Sequence, residues 1–437
     1  MTEAFLQYLW QHRLLDGELA TTTGLPVVVE RPGELNRDAG PDFFGARVRI
    51  GDVLWAGNVE IHVKASDWKN HHHSEDENYD NVVLHVVYDY DFDVVTAQGD
   101  IVPSLEIRQS VPLRLWEEYQ SMVSPLVPVD IPCMGRLQEI PDFIMNSYMD
   151  RLLVDRIERK SSDVRRLLND GKGSWEDCCY WMVARYFGGK ANGYAFEMLA
   201  KVTPMKYVAK IKDNPFRVEA LLLGQAGLLE NDFADEYPQK LKKEYNYLRI
   251  AYNLTPMAGH LWKFFRLRPA SFPTIRISQL ADLMCKSSGL FSRLLDGGDV
   301  SSLRQLFEVK ASDYWNSHYQ FDKESDCVEK HTGSNFVDLL LINAWVPLLF
   351  EYGSQHDNQH QKDRAVELLK QIPAENNRII KLWQRAGLQS DNAARSQSLI
   401  QLYNEHCKEK HCLACQIGFQ LLGGGRNRRQ NLKKNNP

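Results

Sequence analysis

Long apolar runs, export signals, internal repeats and an excess of basic charge are all missing from this sequence, and each absence removes a class of function. No run approaches the apolar length of a membrane span, so no membrane partner is expected. The start, Met1-Thr2-Glu3-Ala4-Phe5, lacks the basic-then-apolar layout of a signal peptide, and a cytoplasmic location is expected. No segment recurs at a fixed period, which leaves a solenoid unsupported. Net charge is −5, which argues against a protein that coats nucleic acid by bulk attraction; any contact with DNA or RNA has to be local. Eight cysteines, scattered over 437 residues, do not make a secreted disulfide framework, so reduced thiols are the default.

What is present is ordinary globular composition, 43% apolar and 25% charged, at a length that favours two or three domains. The most informative stretch runs from Gly40 to Asp89. Arg47 to Ile50 and Val53 to Asn58 read as a hairpin around Gly51-Asp52. The run Val59-Glu60-Ile61-His62-Val63-Lys64 alternates apolar and polar, so a strand there puts Glu60, His62 and Lys64 on one face. Asp42, just before the hairpin, reaches the same face. A second apolar run, Asn81 to Tyr88, carries His85, and a strand beside Glu60 aims it at the same place. Two carboxylates with a neighbouring base suit Mg²⁺ or Mn²⁺, which take oxygen ligands and polarise a phosphoryl oxygen. Asp42 and Glu60 are therefore the candidate metal ligands, with His62 or Lys64 as base or charge stabiliser. Glu34 upstream and His71 and His73 in the intervening loop are auxiliary candidates.

Pro41-Asp42, a hairpin-length gap and then Glu60-x-His62 resemble the signature of the PD-(D/E)XK nuclease-like superfamily. The resemblance implies a small mixed sheet flanked by helices and metal-dependent cleavage of phosphodiesters in DNA or RNA. That superfamily usually has Lys two residues after the Glu; here His62 stands there and Lys64 lies one step further along the same face. Over nearly the whole chain, Pro32-Gly33-Glu34-Leu35-Asn36, Ala39-Gly40-Pro41-Asp42-Phe43, Trp55-Ala56-Gly57-Asn58-Val59-Glu60-Ile61-His62, Ser66-Asp67-Trp68 and Arg268-Pro269-Ala270-Ser271-Phe272-Pro273 resemble the bacterial domain of unknown function 2851 family. The terminal Cys407, Cys412 and Cys415 do so too. That kinship implies no particular reaction. A non-catalytic nucleic-acid- or protein-binding scaffold, or another His/carboxylate metal-dependent hydrolase, are the alternative readings.

The expected architecture is an α/β N-terminal domain with a restriction-endonuclease-like mixed sheet over residues 1–135, a mainly α-helical domain over 136–422, and a flexible basic tail over 423–437. Val94-Val95 and Val102 to Ile107 suggest a further hairpin, and the prolines from 103 to 132 suggest a linker or extended chain. Met145 to Leu168 reads as a long amphipathic helix. Its Arg151, Arg156, Arg159, Lys160, Arg165 and Arg166 are either a solvated face or a phosphate-contacting stripe. In the stretch from His406 to Cys415, three thiols and two imidazoles fall within ten residues. With His406, His411 or the distant Cys133 as fourth ligand, they could hold zinc or an iron–sulfur cluster; buried free thiols are the plainer reading.

Overall fold

The computed structural model describes residues 1–125, 129–287 and 289–423. It has a mixed sheet near the N-terminus followed by a mainly helical remainder. The described residues form two compact units: Met1–Tyr148 with Leu382–Leu388 and 402–423, and Met149–Lys381 with Gln389–Gln401.

In the first unit, helix α1 (Glu3–Gln11) buries Phe5, Leu6, Tyr8, Leu9 and Trp10. The sheet has seven strands: β1 (Leu19–Ala20), β2 (Pro26–Arg31), β3 (Glu34–Leu35), β4 (Phe43–Ile50), β5 (Val53–Lys64), β6 (Val82–Asp89) and β7 (Ser104–Glu106). Strands β2, β4 and β5 form an antiparallel meander, and the expected turn at Gly51-Asp52 joins β4 to β5. β6 then pairs with β5 in parallel, and β7 pairs with β6 in parallel. A parallel neighbour needs a crossover. Here it is made by helix α2 (Asp67–Asn70) and two 3₁₀ turns, His73–Glu75 and Glu77–Tyr79. Trp68 is fully buried with Tyr79, Val82, Val94 and Val102 beneath this crossover. Its indole N–H is shared between Ser74 Oγ and the Val95 carbonyl, both at 3.1 Å.

β5 is the central strand, which is why its polar residues are not a solvent face. Asn58, Glu60 and His62 are buried, as is the whole run Val82–Val87 beside them. The ladder between β4 and β5 slips by one residue between Phe43 and Ala46, where Gly45 sits at φ +63°. Such a bulge re-aims the side chains on its near side, and here that side carries Asp42.

Gly57 matters for a different reason. A Cβ there would lie 2.4 Å from Val83 Cγ1 and 2.7 Å from the Asn81 carbonyl oxygen. Gly57→Ala should therefore force β5 and β6 apart and destabilise the protein by about 1–3 kcal/mol. Urea unfolding checks this, and an unchanged midpoint would show that the sheet yields freely.

Several expectations need correction. Val94–Thr96 and Asp100–Val102 do fold back on each other as a short hairpin, through the Val95–Ile101 bridge and the bonds Thr96 N–H to Asp100 O at 2.9 Å and Val102 N–H to Val94 O at 3.1 Å, but the strand that follows, β7, joins β6 in parallel. The proline-rich linker contains a helix, α3 (Leu113–Val123), which Pro112 precedes as its cap residue. Residues 424–437 of the basic tail lie outside the described residues. One stretch, Ser334–Gln355, does reach the length and apolarity of a membrane span, but most of its apolar window is buried in the helical unit.

The long helix α4 (Asp142–Asp170) is present as read; of its basic stripe only Arg156 is buried and Lys160 half-buried, while Arg151, Arg159, Arg165 and Arg166 stay exposed, and most of the stripe bonds protein partners. Arg156 bonds Gln397, Arg159 bonds Gln401 at 3.0 Å and Lys160 bonds Asn343. Arg165 pairs with Glu351 at 2.7 Å and Arg166 with Glu197 at 2.9 Å.

The second unit packs α5 (Trp175–Phe187), α6 (Gly189–Val202), α7 (Met205–Val208), α8 (Pro215–Gln225), α9 (Glu236–Tyr252) and α10 (Pro273–Lys286) around one apolar core. Every residue of α8 from Val218 to Gln225 is buried, including Glu219. That carboxyl accepts from Trp315 Nε1 at 2.6 Å, Tyr237 Oη at 3.0 Å and Ser312 Oγ at 3.1 Å.

Candidate functional site

The bulge in β4 brings Asp42 against the middle of β5. The Asp42 backbone N–H donates to Glu60 Oε2 at 2.9 Å, and Asp42 Oδ2 accepts the Ile61 N–H at 3.0 Å. Asp42 Oδ1 accepts from Gln7 Nε2 of α1 at 2.8 Å. Two carboxylates from neighbouring strands thus share one pocket, with Glu60 only 5% exposed. Among the described residues no lysine or arginine bonds either carboxylate.

The remaining polar atoms of the pocket are imidazole nitrogens. Parallel pairing sets Glu60 beside His85, and His85 Nε2 lies 2.9 Å from His62 Nδ1. His62 Nε2 lies 3.2 Å from His71 Nδ1 and 3.4 Å from Glu60 Oε1. His73 Nε2 also lies 3.4 Å from Glu60 Oε1, yet it is buried with no hydrogen-bond partner. Ligand atoms of His62, His71 and His73 all lie within 4.8 Å of one another. The Tyr79 ring stacks on His73, centroids 3.8 Å apart, and so fixes the loop imidazole that the crossover delivers.

Electrostatics follow from this burial without compensation. Burial pushes the Asp42 carboxyl up to about 7, helped by the Glu60 charge, and the Glu60 carboxyl up to about 8, helped by Glu3. Burial and the neighbouring imidazoles push His62 down to about 3 and hold His85 well below its usual value. The pocket is therefore neutral only with its carboxyls protonated, and a bound cation would replace those protons. The orphaned His73 nitrogen, the two carboxylates and the clustered imidazoles fit a divalent cation. Mixed N and O donors suit Mn²⁺ or Zn²⁺ better than Mg²⁺, which prefers oxygen.

These directions set a stability prediction. Unfolded Asp and Glu lose their protons near pH 4, whereas the folded pair keeps them to about 7 and 8. Stability from the neutral carboxyls is complete below the unfolded value and is lost as pH rises through 7 to 8. The depressed histidines act oppositely, but their gain is complete once pH passes about 6.5. In chelator, the melting temperature should fall between pH 6.5 and 8. Mn²⁺ or Zn²⁺ should reverse that fall, because metal binding displaces protons. A chelated protein whose melting temperature holds steady or rises over this range would contradict the pocket's charge balance.

Of the residues singled out from sequence, Asp42, Glu60, His62, His71, His73 and His85 come together. Lys64 does not: its side chain is exposed, and its charge acts on Asp91. Glu34 is also elsewhere, its carboxylate 80% exposed and paired with Arg31 at 2.6 Å. Sequence reading missed Glu3 and Gln7, one helical turn apart on α1. Glu3 is half-buried, and its carboxyl is raised by burial and by Asp42. The only signal was a polar pair at i, i+4 on an otherwise apolar helix.

In the same unit, Cys133, Cys407, Cys412 and Cys415 are all buried and close enough to influence one another. His411 is not with them. It is exposed, with Nδ1 3.1 Å from the Glu405 carbonyl oxygen.

The sequence model of the family described as "Protein of unknown function (DUF2851)" matches residues 3–378. The matched stretch holds both carboxylates and the four clustered histidines and ends before Cys407. No curated protein and no solved structure matches the chain.

Proposed function

The chain belongs to the DUF2851 family, a kinship that carries no reaction with it, and we propose that it is a metal-dependent phosphodiesterase acting on DNA or RNA. The observation that carries this reading is the pair Asp42 and Glu60, one half-buried and the other buried, held together without a basic partner beside three imidazoles. The order helix, three-stranded antiparallel meander, crossover and parallel strand supports a restriction-endonuclease-like nucleus, as does the resemblance around Pro41-Asp42 and Glu60-x-His62.

Glu60 Oε1 with His62 Nε2, His71 Nδ1 and His73 Nε2 would hold the cation, with Asp42 beside them. When bound, a divalent cation supplies Lewis acidity toward a phosphoryl oxygen. The protein's own groups do the rest. His62 donates Nδ1–H to His85 in the tautomer that leaves its Nε2 lone pair toward Glu60, so His85 is a positioning residue. Gln7 and the Ile61 N–H fix the plane of the Asp42 carboxylate. His71 is the exposed imidazole of the set, so its side of the proposed cation is the one open to solvent and substrate. His62 occupies the position where the resemblance leads one to look for Lys, which favours Mn²⁺ or Zn²⁺ over Mg²⁺.

The test is incubation of purified protein with labelled single-stranded, duplex and branched DNA, and with RNA, in Mn²⁺, Zn²⁺ or Mg²⁺. Cleavage is expected with Mn²⁺ or Zn²⁺ and is abolished by chelator. Binding of these nucleic acids without cleavage under any cation would replace the enzyme with a scaffold.

A further inference from the structure

We propose that Cys133, Cys407, Cys412 and Cys415 ligate an iron–sulfur cluster, a second metal centre separate from the carboxylate–histidine pocket. Half of the chain's eight cysteines gather here from widely separated positions, each 7–8% exposed. All four are free thiols. The cysteines elsewhere behave differently: Cys178 and Cys179 are core residues of α5, Cys285 is half-buried and Cys327 is exposed.

The local chain is shaped around the sulfurs. A π-helical turn, Tyr403–Cys407, ends on the first of the terminal three, Lys410 takes a left-handed conformation at φ +57°, and a 3₁₀ turn, Cys412–Ala414, separates the other two. Gly418 lies so close that a Cβ there would meet the Cys412 carbonyl oxygen at 1.9 Å. The Cys415 sulfur receives the backbone N–H groups of Ile417 and Gly418, and the Tyr148 hydroxyl lies 3.7 Å away. Donors converging on a buried sulfur stabilise a thiolate, and thiolate is what iron and zinc both require.

Spacing chooses between zinc and a cluster. Cys407-x4-Cys412-x2-Cys415 with a fourth, distant cysteine has the C-x4-C-x2-C spacing of one class of iron–sulfur site. On ligation each thiol releases its proton and forms one Fe–S bond, with no change in the oxidation state of the cysteine.

The full chain should be purified without oxygen and assayed for iron, acid-labile sulfide and zinc. Iron and sulfide in equal amounts are expected, with broad visible absorption that bleaches on reduction. Cys133→Ser and Cys412→Ser should each lose most of the iron, while Cys285→Ser keeps it. Zinc without sulfide overturns the proposal. So does a protein that takes up no iron and sulfide on anaerobic reconstitution while its thiols react freely. Both readouts come from the unaltered chain, so they stand even if the serine variants fail to fold.

Discussion

Glu60→Gln should give a folded protein that melts higher than the parent in chelator at pH 8 and has lost hydrolysis by on the order of 10³-fold or more. The two halves of this result have one cause. Without metal, Glu60 holds its proton up to about 8, so the uncharged amide copies its resting form. The Gln oxygen can still accept the Asp42 N–H, and its NH₂ faces the acceptor nitrogens of His62 and His73. What the variant cannot do is present a negative charge to a cation. Bound Mn²⁺ or Zn²⁺ per chain should fall together with turnover, and the pH slope in chelator should shrink. Turnover within about tenfold of the parent would remove Glu60 from the chemistry.

Glu219→Ala should destabilise the helical unit by about 3–5 kcal/mol, among the largest single-residue effects in the chain. The lost carboxyl leaves the Trp315 indole N–H without its acceptor, and of the Tyr237 and Ser312 hydroxyls, 3.0 Å apart, only one can donate to the other in its place. Each buried donor stripped of its partner costs about 1–3 kcal/mol, and side-chain rearrangement recovers only part. Glu219→Gln keeps one acceptor oxygen and should cost less. Urea unfolding of both variants, followed at the transition of the helical unit, checks this. Metal content of the carboxylate–histidine pocket should stay the same, because these bonds all lie within the other unit. Near-parental stability for Glu219→Ala would mean that water or a rotated side chain replaces the carboxyl.

The contrast between Glu60 and Glu219 shows what was legible beforehand. Strand alternation placed Glu60 and His62 on one face, and the Asn81 to Tyr88 run put His85 beside them; the parallel register joins these residues. Alternation also put Lys64 on that face, and there it misled, because β5 is covered at its middle but open at its end. Glu219 gave no sign at all, since a lone carboxylate in an apolar helix looks the same whether it meets water or buried donors. The basic stripe of α4 shows the same limit: helical spacing gives a face, and only packing tells which of its residues, here Arg156, are covered. Helix α3 was hidden by the prolines around it, which mark element ends as readily as they mark linkers.

The extra residue in β4 has a consequence for chain length. Side chains on a strand alternate with a period of two, so removing Gly45 would close the bulge and turn Phe43 and Asp42 to opposite faces from those they now occupy. Every residue type needed for the pocket would still be in the sequence, and Asp42 would point away from it. A homologue one residue shorter between the aspartate and the glutamate would keep the motif letters and lose the geometry, so the count between the two carboxylates is as much a part of the site as their identity.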